Sequence, residues 1–459
     1  MNTILHFGVG AFHRSHQAYA WHKLRELDPE QYGNWSITGV CLMPGDRALV
    51  DTLRTQQNQY SLRMRSPAGI ESFEKISSIS QILYGPDNPG AVIDAIASLD
   101  TRLLSFTITE GGYQVDFSDL SADDQPRTVF GYLAKGLELR KSAGSGGLVM
   151  MSCDNIQENG RVLKDSLLGF LEQYDENLKN WAEQHLIFPS SMVDRITPVT
   201  SEADKDDFEK HYGFRDEALV VSENYFQWVL EDSATGLLPP LERVGVEVVS
   251  DVRPYESMKL GILNAGHSLV GFLGDALGYH SIHESVVDQR ISRLFDHYAT
   301  EEAIPVLEPI EGLNFTDYFQ QVKARFSNAM INDSNRRIIS GSSDKIPKFI
   351  VPIIHAQLRS EKPGIAVCAL VIASWWYYLE RSKAAGQMDQ IQDNVRKPLM
   401  ELFSESHDSA RAFIAYQPIF GDLASERNFM EPYLRAVDLL RNHPVEKVLD
   451  EILIKLDNE

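Results

Sequence analysis

Four short apolar runs punctuate the first 155 residues: ILHF at 4–7, SITGVCL at 36–42, RLLSFTI at 102–108 and LVMMSCDN at 148–155. Helical patterns fill the intervals, and strands separated by helices imply a parallel, doubly wound sheet, so this alternation restricts the fold more than any other feature. The last run ends in polar residues, and the carboxyl ends of such strands are where open α/β sheets bind ligands. At 459 residues the chain exceeds one ordinary core. A further strand-like run, GVEVVSDV at 245–252, precedes Pro254, after which helical patterns dominate. The expected organisation is an α/β domain over 1–250 and a mainly α-helical domain over 251–459.

Charge and cysteine usage narrow the function classes. The formal charge of -22 repels phosphate backbones and anionic lipid surfaces, which argues against nucleic acid and membrane as partners. Cys41, Cys153 and Cys368 are odd in number and far apart, offering neither a disulfide framework nor a zinc spacing. The longest apolar stretch, Ala366 to Leu379, is too short to span a bilayer and reads as a buried helix. A cytoplasmic protein is expected. The acidic run EADKDD at 202–207 reads as solvated surface, and His280 and His283, although spaced H-x-x-H, read as ordinary helix residues and not metal ligands.

The stretch GVGAFH, Gly8 to His13, follows the first strand as a dinucleotide-binding turn would, with Arg14 to Leu24 as the crossover helix. Two glycines of the G-x-G-x-x-G fingerprint are present, and His13 stands at the third. After the second strand Asp46 is the acid available to bond ribose hydroxyls, which favours NAD over a 2′-phosphorylated cofactor, although Arg47 follows it.

The segment PYESMKLGILNAGHS, 254–268, reads as one helix begun by Pro254. At about 100° per residue, with Lys259 at zero, Glu256 falls near roughly 60°, His267 near roughly 80° and Asn264 near roughly 140°, so all four share an arc. Such a polar face is costly to bury unless it is mutually bonded or serves a ligand. A lysine acts as general base where burial and neighbours bring its pKa towards neutrality, and Asn155 and Asn264 are suitable donors to an oxygen gaining charge. This chemistry requires no metal. Arg337 and Lys345, in RRIISGSSDKIPKF at 336–349, are candidate donors to the hydroxyls of a polar substrate.

Taken in order, GVGAFHRSHQA, FTITEGGY, SCDNIQENG, MVDRITP, ENYFQWVLED, PYESMKLGILNAGHS and SSDKIPKF resemble the polyol-specific long-chain dehydrogenases, the mannitol dehydrogenase family. The resemblance implies an expanded Rossmann domain followed by a helical domain, with NAD held by Gly8, Gly10, Ala11, Phe12, Asp46 and Thr109. It further implies Lys259 as general base, Asn155 and Asn264 as the oxyanion pair, and His267 as the residue that positions substrate and lysine. Asp194, Arg337 and Lys345 match residues that hold substrate hydroxyls, and Glu256 and Glu110 match carboxylates that pass the proton to solvent. The implied reaction is oxidation of a sugar alcohol to a ketose, mannitol to fructose in type, in a monomer or small homo-oligomer. Arabinitol dehydrogenases and fructuronate or tagaturonate reductases share the pattern, and a catalytically inactive dinucleotide-binding sensor is the alternative of another class.

Overall fold

The apolar runs do become strands. In the computed structural model, which describes residues 2–120, 125–406 and 408–458, the strands in chain order are β1 Asn2–Phe7, β2 Trp35–Cys41, β3 Tyr60–Arg65, β4 Glu71–Ile76, β5 Ile79–Tyr84, β6 Thr101–Phe106, β7 Leu148–Ser152, β8 Leu186–Ile187, β9 Ser191–Asp194, β10 Val220–Glu223, β11 Gln227–Glu231 and β12 Val246–Val249. The chain divides into two compact units, the first closing at Arg253 and the second opening at Pro254.

In the first unit a six-stranded sheet has the order β5-β2-β1-β6-β7-β8, and every pairing is parallel. Counting only its members along the chain, this is the 3-2-1-4-5-6 order of the Rossmann fold. All of β2 and β7 is buried, which is why these segments read as unbroken apolar runs and not as alternation. Phe7 pairs with Val40 and with Phe106, and Phe106 with Ser152. The carboxyl ends of β1, β2, β6 and β7 therefore come level along one edge.

Three expectations are modified. The crossover helix expected over Arg14–Leu24 is two helices, Ala11–Ser15 and Gln17–Leu27, broken at His16, whose Nε2 lies 2.8 Å from the Gln227 carbonyl oxygen. Two small sheets, β10-β3-β4 and β12-β11-β9, flank the main one, and β3 and β4 escaped the apolar-run criterion because YSLRMR and ESFEKI carry charges. Arg63 of β3 is buried and pairs with Glu71 and, at 2.8 Å, with Asp207. The acidic run 202–207 thus forms part of the helix Glu202–Tyr212, where Asp204 also pairs with the half-buried Arg65 at 3.0 Å, so it neutralises a buried and a half-buried cation as well as facing solvent.

The second unit is helical, around one core that extends from Met258 to Leu453. Its longest helix, Ala366–Ala384, is buried on all sides from Val367 to Trp376, the signature of a helix inside a core. No described helix is long and apolar enough to cross a membrane, and Cys41, Cys153 and Cys368 are all buried free thiols. Leu370, fully buried in that helix, is the simplest test of the core. Leu370→Ala should lower the stability of the helical unit by about 2–5 kcal/mol, read as a shift in its urea transition.

Candidate active site

Every candidate residue of the first unit except Asp194 stands at the sheet edge formed by the level strand ends. Gly8 has φ 96°, and a Cβ there would lie 2.0 Å from the Thr107 carbonyl oxygen. Only glycine fits this link between β1 and β6. Gly10 differs: a Cβ there would meet nothing within 4 Å, which leaves an open cradle at the start of the helix Ala11–Ser15. Phe12 stacks on His16 with ring centroids 5.1 Å apart, and Ala11 beside it is half-buried.

The residue in the third-glycine position has a structural reason to be histidine. His13 is buried and stacks on His6 with centroids 3.4 Å apart and planes 15° from parallel. His6 is bonded to the hydroxyls of Ser105 (2.8 Å) and Thr107 (2.9 Å). Burial holds both imidazoles neutral, His6 down to about 3. Where glycine permits close packing of helix on strand, this loop packs one flat ring on another.

At the end of β2, Asp46 closes a single turn and its carboxylate accepts the Met43 N–H at 3.1 Å. Arg47 points to other partners: it pairs with Asp87 and lies 5.0 Å from the centre of the Tyr84 ring. At the end of β6, Thr109 has φ 62° and ψ 168°, a strained conformation for a residue with a side chain. Asp154 holds it there. Its carboxylate accepts the N–H groups of Ile108 (2.9 Å) and Thr109 (3.0 Å) and the Tyr113 hydroxyl (2.7 Å), and Glu110 and Asn155 stand exposed beside these anchors.

Asp194, buried, ends β9. Asn159 fastens this strand to the turn that carries Asn155, donating to the carbonyls of Asp154 (2.9 Å) and Ser191 (2.7 Å) and accepting the Ser191 N–H (2.9 Å). Sequence reasoning missed Asp154, Asn159 and Tyr113 as supports, although all three lie inside the motifs SCDNIQENG and FTITEGGY. The available signal was an Asp and an Asn bracketing the candidate amide in a loop, where side-chain-to-backbone bonds are common.

The second unit supplies the remaining candidates. The segment expected as one helix is three pieces: a helix Arg253–Met258, a wide turn Lys259–Asn264, and a helix Ala265–Leu277. In the wide turn the Ala265 N–H reaches back five residues to the Leu260 carbonyl. Residues five apart are stacked by such a turn, as residues four apart are in an α-helix. Lys259 and Asn264 are five apart, so the turn reduces the offset that an α-helix would impose on Asn264. Glu256, Lys259 and Asn264 are 6%, 5% and 8% exposed, and His267 stacks on Phe326 with centroids 4.0 Å apart.

Gly271 lets the helix Asn335–Ile339 lie against this one, since its Cβ would come within 3.1 Å of Ile338 and Ile339 side-chain carbons. The cationic stretch is thus two short helices, Asn335–Ile339 and Ser342–Phe349. Arg337 is ion-paired with Asp333. Lys345 donates to the Ile338 carbonyl at 2.7 Å, and burial, with Arg337 adding to it, pushes its ammonium down to about 8. His283 lies in the helix Ile282–Val286 with Nδ1 2.9 Å from the Ser327 carbonyl oxygen, and His280 precedes that helix instead of belonging to it. A His22, Glu26 and Glu74 group has its ligand atoms within 4.8 Å of one another, but Lys23 sits 3.4 and 3.2 Å from the two carboxylates and makes the group an ion-pair cluster.

A Rossmann-order sheet with a glycine cradle, joined in one chain to a helical unit that buries a lysine among an asparagine and a glutamate, is the construction of an oxidoreductase. A sequence profile described as "Mannitol dehydrogenase Rossmann domain" matches residues 2–242, and "Mannitol dehydrogenase C-terminal domain" matches residues 251–440. The chain belongs to the mannitol dehydrogenase family. It is 34% identical to "Mannitol dehydrogenase DSF1" of Saccharomyces cerevisiae, over 98% of this chain and 93% of that protein. It is 37% identical to the "Mannitol 2-dehydrogenase" of Phaeosphaeria nodorum, over 95% and 79%. The Pseudomonas fluorescens mannitol 2-dehydrogenase, solved as a ternary complex with NAD and D-mannitol, superposes with a TM-score of 0.87 at 35% identity, covering 99% of this chain and 94% of that one. A D-sorbitol dehydrogenase in substrate-free form gives 0.86 at 28% identity, covering 97% and 94%.

The two glycines should separate folding from binding. Gly8→Ala combines a positive φ with a clash and is expected to lower the thermal midpoint, whereas Gly10→Ala should unfold like the parent but bind NADH at least tenfold more weakly in a fluorescence titration. The stacked histidines set an acid limit. The unfolded chain protonates His6 near its ordinary 6.5 while the folded protein resists until about 3, so stability falls as pH drops through that window. His6→Asn should remove about 1.4 kcal/mol per pH unit from the slope below 6.5, measured by denaturant unfolding.

Proposed function

We propose that the protein oxidises a sugar alcohol to the corresponding ketose with NAD, mannitol to fructose in type, and catalyses the reverse reduction. The observation that carries this reading is the wide turn, which places Lys259 and Asn264, with Glu256 just before it, among buried residues and leads directly into the helix that carries the half-buried His267. The solved relative with NAD and D-mannitol supports it at 35% identity across nearly the whole chain.

The first unit, which we assign to the cofactor, offers it the Gly8 to Phe12 loop, the open space at Gly10, Asp46 and the Thr109 backbone. Bound there, NAD accepts a hydride at its nicotinamide ring. Arg47, engaged with Asp87 and Tyr84, is drawn away from a 2′-phosphate, and Asp46 repels one, so NAD is the preferred form. The second unit, from Pro254, supplies most of the substrate chemistry.

Neutral Lys259 takes the hydroxyl proton as the carbon gives up its hydride. Asn155 and Asn264 donate to the oxygen while it carries extra charge, and His267, held against Phe326, orients substrate and lysine. The proton leaves Lys259 through Glu256 and Glu110 to solvent. Asp194, Arg337 and Lys345 hold the other hydroxyls. This assignment moves one proton and one hydride and routes neither through a metal ion.

Lys259→Ala should lower kcat by about 10² to 10⁴ while the fold and NADH binding persist; near-normal turnover would overturn the assignment. The substrate is settled by following NADH absorbance with fructose, xylulose, fructuronate and tagaturonate, each repeated with NADPH. Preference for fructose is the expected result. Activity confined to the uronates would instead make this a sugar-acid reductase, with Arg336 or Lys348 reading the carboxylate. Cofactor binding without turnover of any of them would identify a sensor.

A further inference from the structure

The helical unit contains a second wide turn, Tyr298–Ala303, packed against the first. Turns of this kind are rare, disturb the regular carbonyl ladder and persist only where their surroundings stabilise them. The first turn receives one specific bond from the second: the Tyr298 hydroxyl donates to the Gly261 carbonyl at 2.6 Å. Tyr298 is fully buried, as is the carbonyl's surrounding segment. Gly261 is closely confined on its other side, where a Cβ would come 3.2 Å from Ile353 and 3.4 Å from Leu307 side-chain carbons.

The second turn is itself anchored. Gln357 Nε2 donates to the carbonyls of Glu301 (3.1 Å) and Glu302 (2.6 Å). The fully buried Glu302 carboxylate accepts the N–H groups of Val367 (2.6 Å) and Cys368 (2.8 Å), at the start of the helix Ala366–Ala384. Tyr298 is therefore aimed by a turn fastened to the longest helix of the core.

We propose that Tyr298 is a positioning residue for the reaction: through the Gly261 carbonyl it holds the Lys259–Asn264 turn wide, and so keeps the lysine and the Asn264 amide on one face. In an ordinary α-helix these two side chains would diverge by roughly 140°. Without the hydroxyl, the Gly261 carbonyl loses its buried donor, and the wide turn loses its advantage over the narrower register. The inference rests on the reading of Lys259 as base and Asn264 as donor to the substrate oxygen.

The test is Tyr298→Phe beside Leu370→Ala, a control that removes only buried apolar side-chain atoms from the same core helix. Tyr298→Phe should lower kcat by about ten- to a hundredfold, the scale of a small misplacement of reacting groups. NADH affinity should be unchanged, and the limb of the kcat pH profile that reports the base should be displaced. Leu370→Ala should lower the thermal midpoint and leave kcat alone. Backbone hydrogen exchange over 259–265 should quicken in Tyr298→Phe and not in the control, whichever sugar the enzyme turns over. A kcat within twofold of the parent, or unchanged exchange in that segment, overturns the proposal. A parent enzyme inert to every polyol and uronate overturns the reading of the site, and the exchange measurement then decides the role of Tyr298 by itself.

Discussion

Removing a lysine from water is the constraint that organises the helical unit. Lys259 is 5% exposed with a glutamate and an asparagine buried nearly as deeply on the same segment, inside a core otherwise built of leucine, isoleucine, valine and aromatic rings. Groups of this kind remain buried only where neighbours satisfy them. The lysine and the asparagine lie on a stretch whose backbone departs from α-helical pitch, and a second such turn, fixed by Glu302 and Gln357, bonds to the first.

The sheet unit solves a different problem, that of making separate loops behave as one surface. Parallel pairing brings four strand ends level, but strand ends alone leave loops free to drift. Asp154 ties the loop after β7 to the one after β6, and Asn159 ties the first of these to β9. Both act through backbone N–H and carbonyl groups, which makes their geometry independent of neighbouring side-chain rotamers. The strained Thr109 lies where two of these bonds meet, as expected of a conformation that survives only by external support.

How much of this the sequence disclosed follows from the range of the signal. Apolar runs identified β1, β2, β6 and β7, because strands buried on both faces need no knowledge of their partners. Of the small sheets only β12, inside the run GVEVVSDV, was read from the sequence; the charges of β3 make sense only once Asp204 and Asp207, some 140 residues later, are seen to neutralise them. His13 looked like a gap in a glycine fingerprint until the ring of His6 was found beneath it. At the lysine segment, residue types announced the chemistry, and helical arithmetic placed all four residues in one arc but spread Asn264 roughly 140° from Lys259. The correction depends on Tyr298 and Gly261, which are 37 residues apart in the chain, and no periodicity within the segment contains it. Substrate identity was not legible in the sequence, because residue types able to bond hydroxyls do not state which hydroxyls they meet.

The Asn159 bridge has a consequence for stereochemistry. It bonds the loop of Asn155 to the strand that ends in Asp194, so in the proposed site the spacing of the amide assigned to the reacting oxygen and the carboxylate assigned to another hydroxyl would be set by the protein before any substrate arrives. A flexible pair would adapt to epimers by small adjustments. A stapled pair with the proposed roles would behave as a gauge of constant span: an epimer whose second hydroxyl fell short would forgo that bond, because Asp194 could not follow it without pulling on the loop of Asn155. Handedness along the carbon chain would thus be read by a side chain that need not touch the sugar at all.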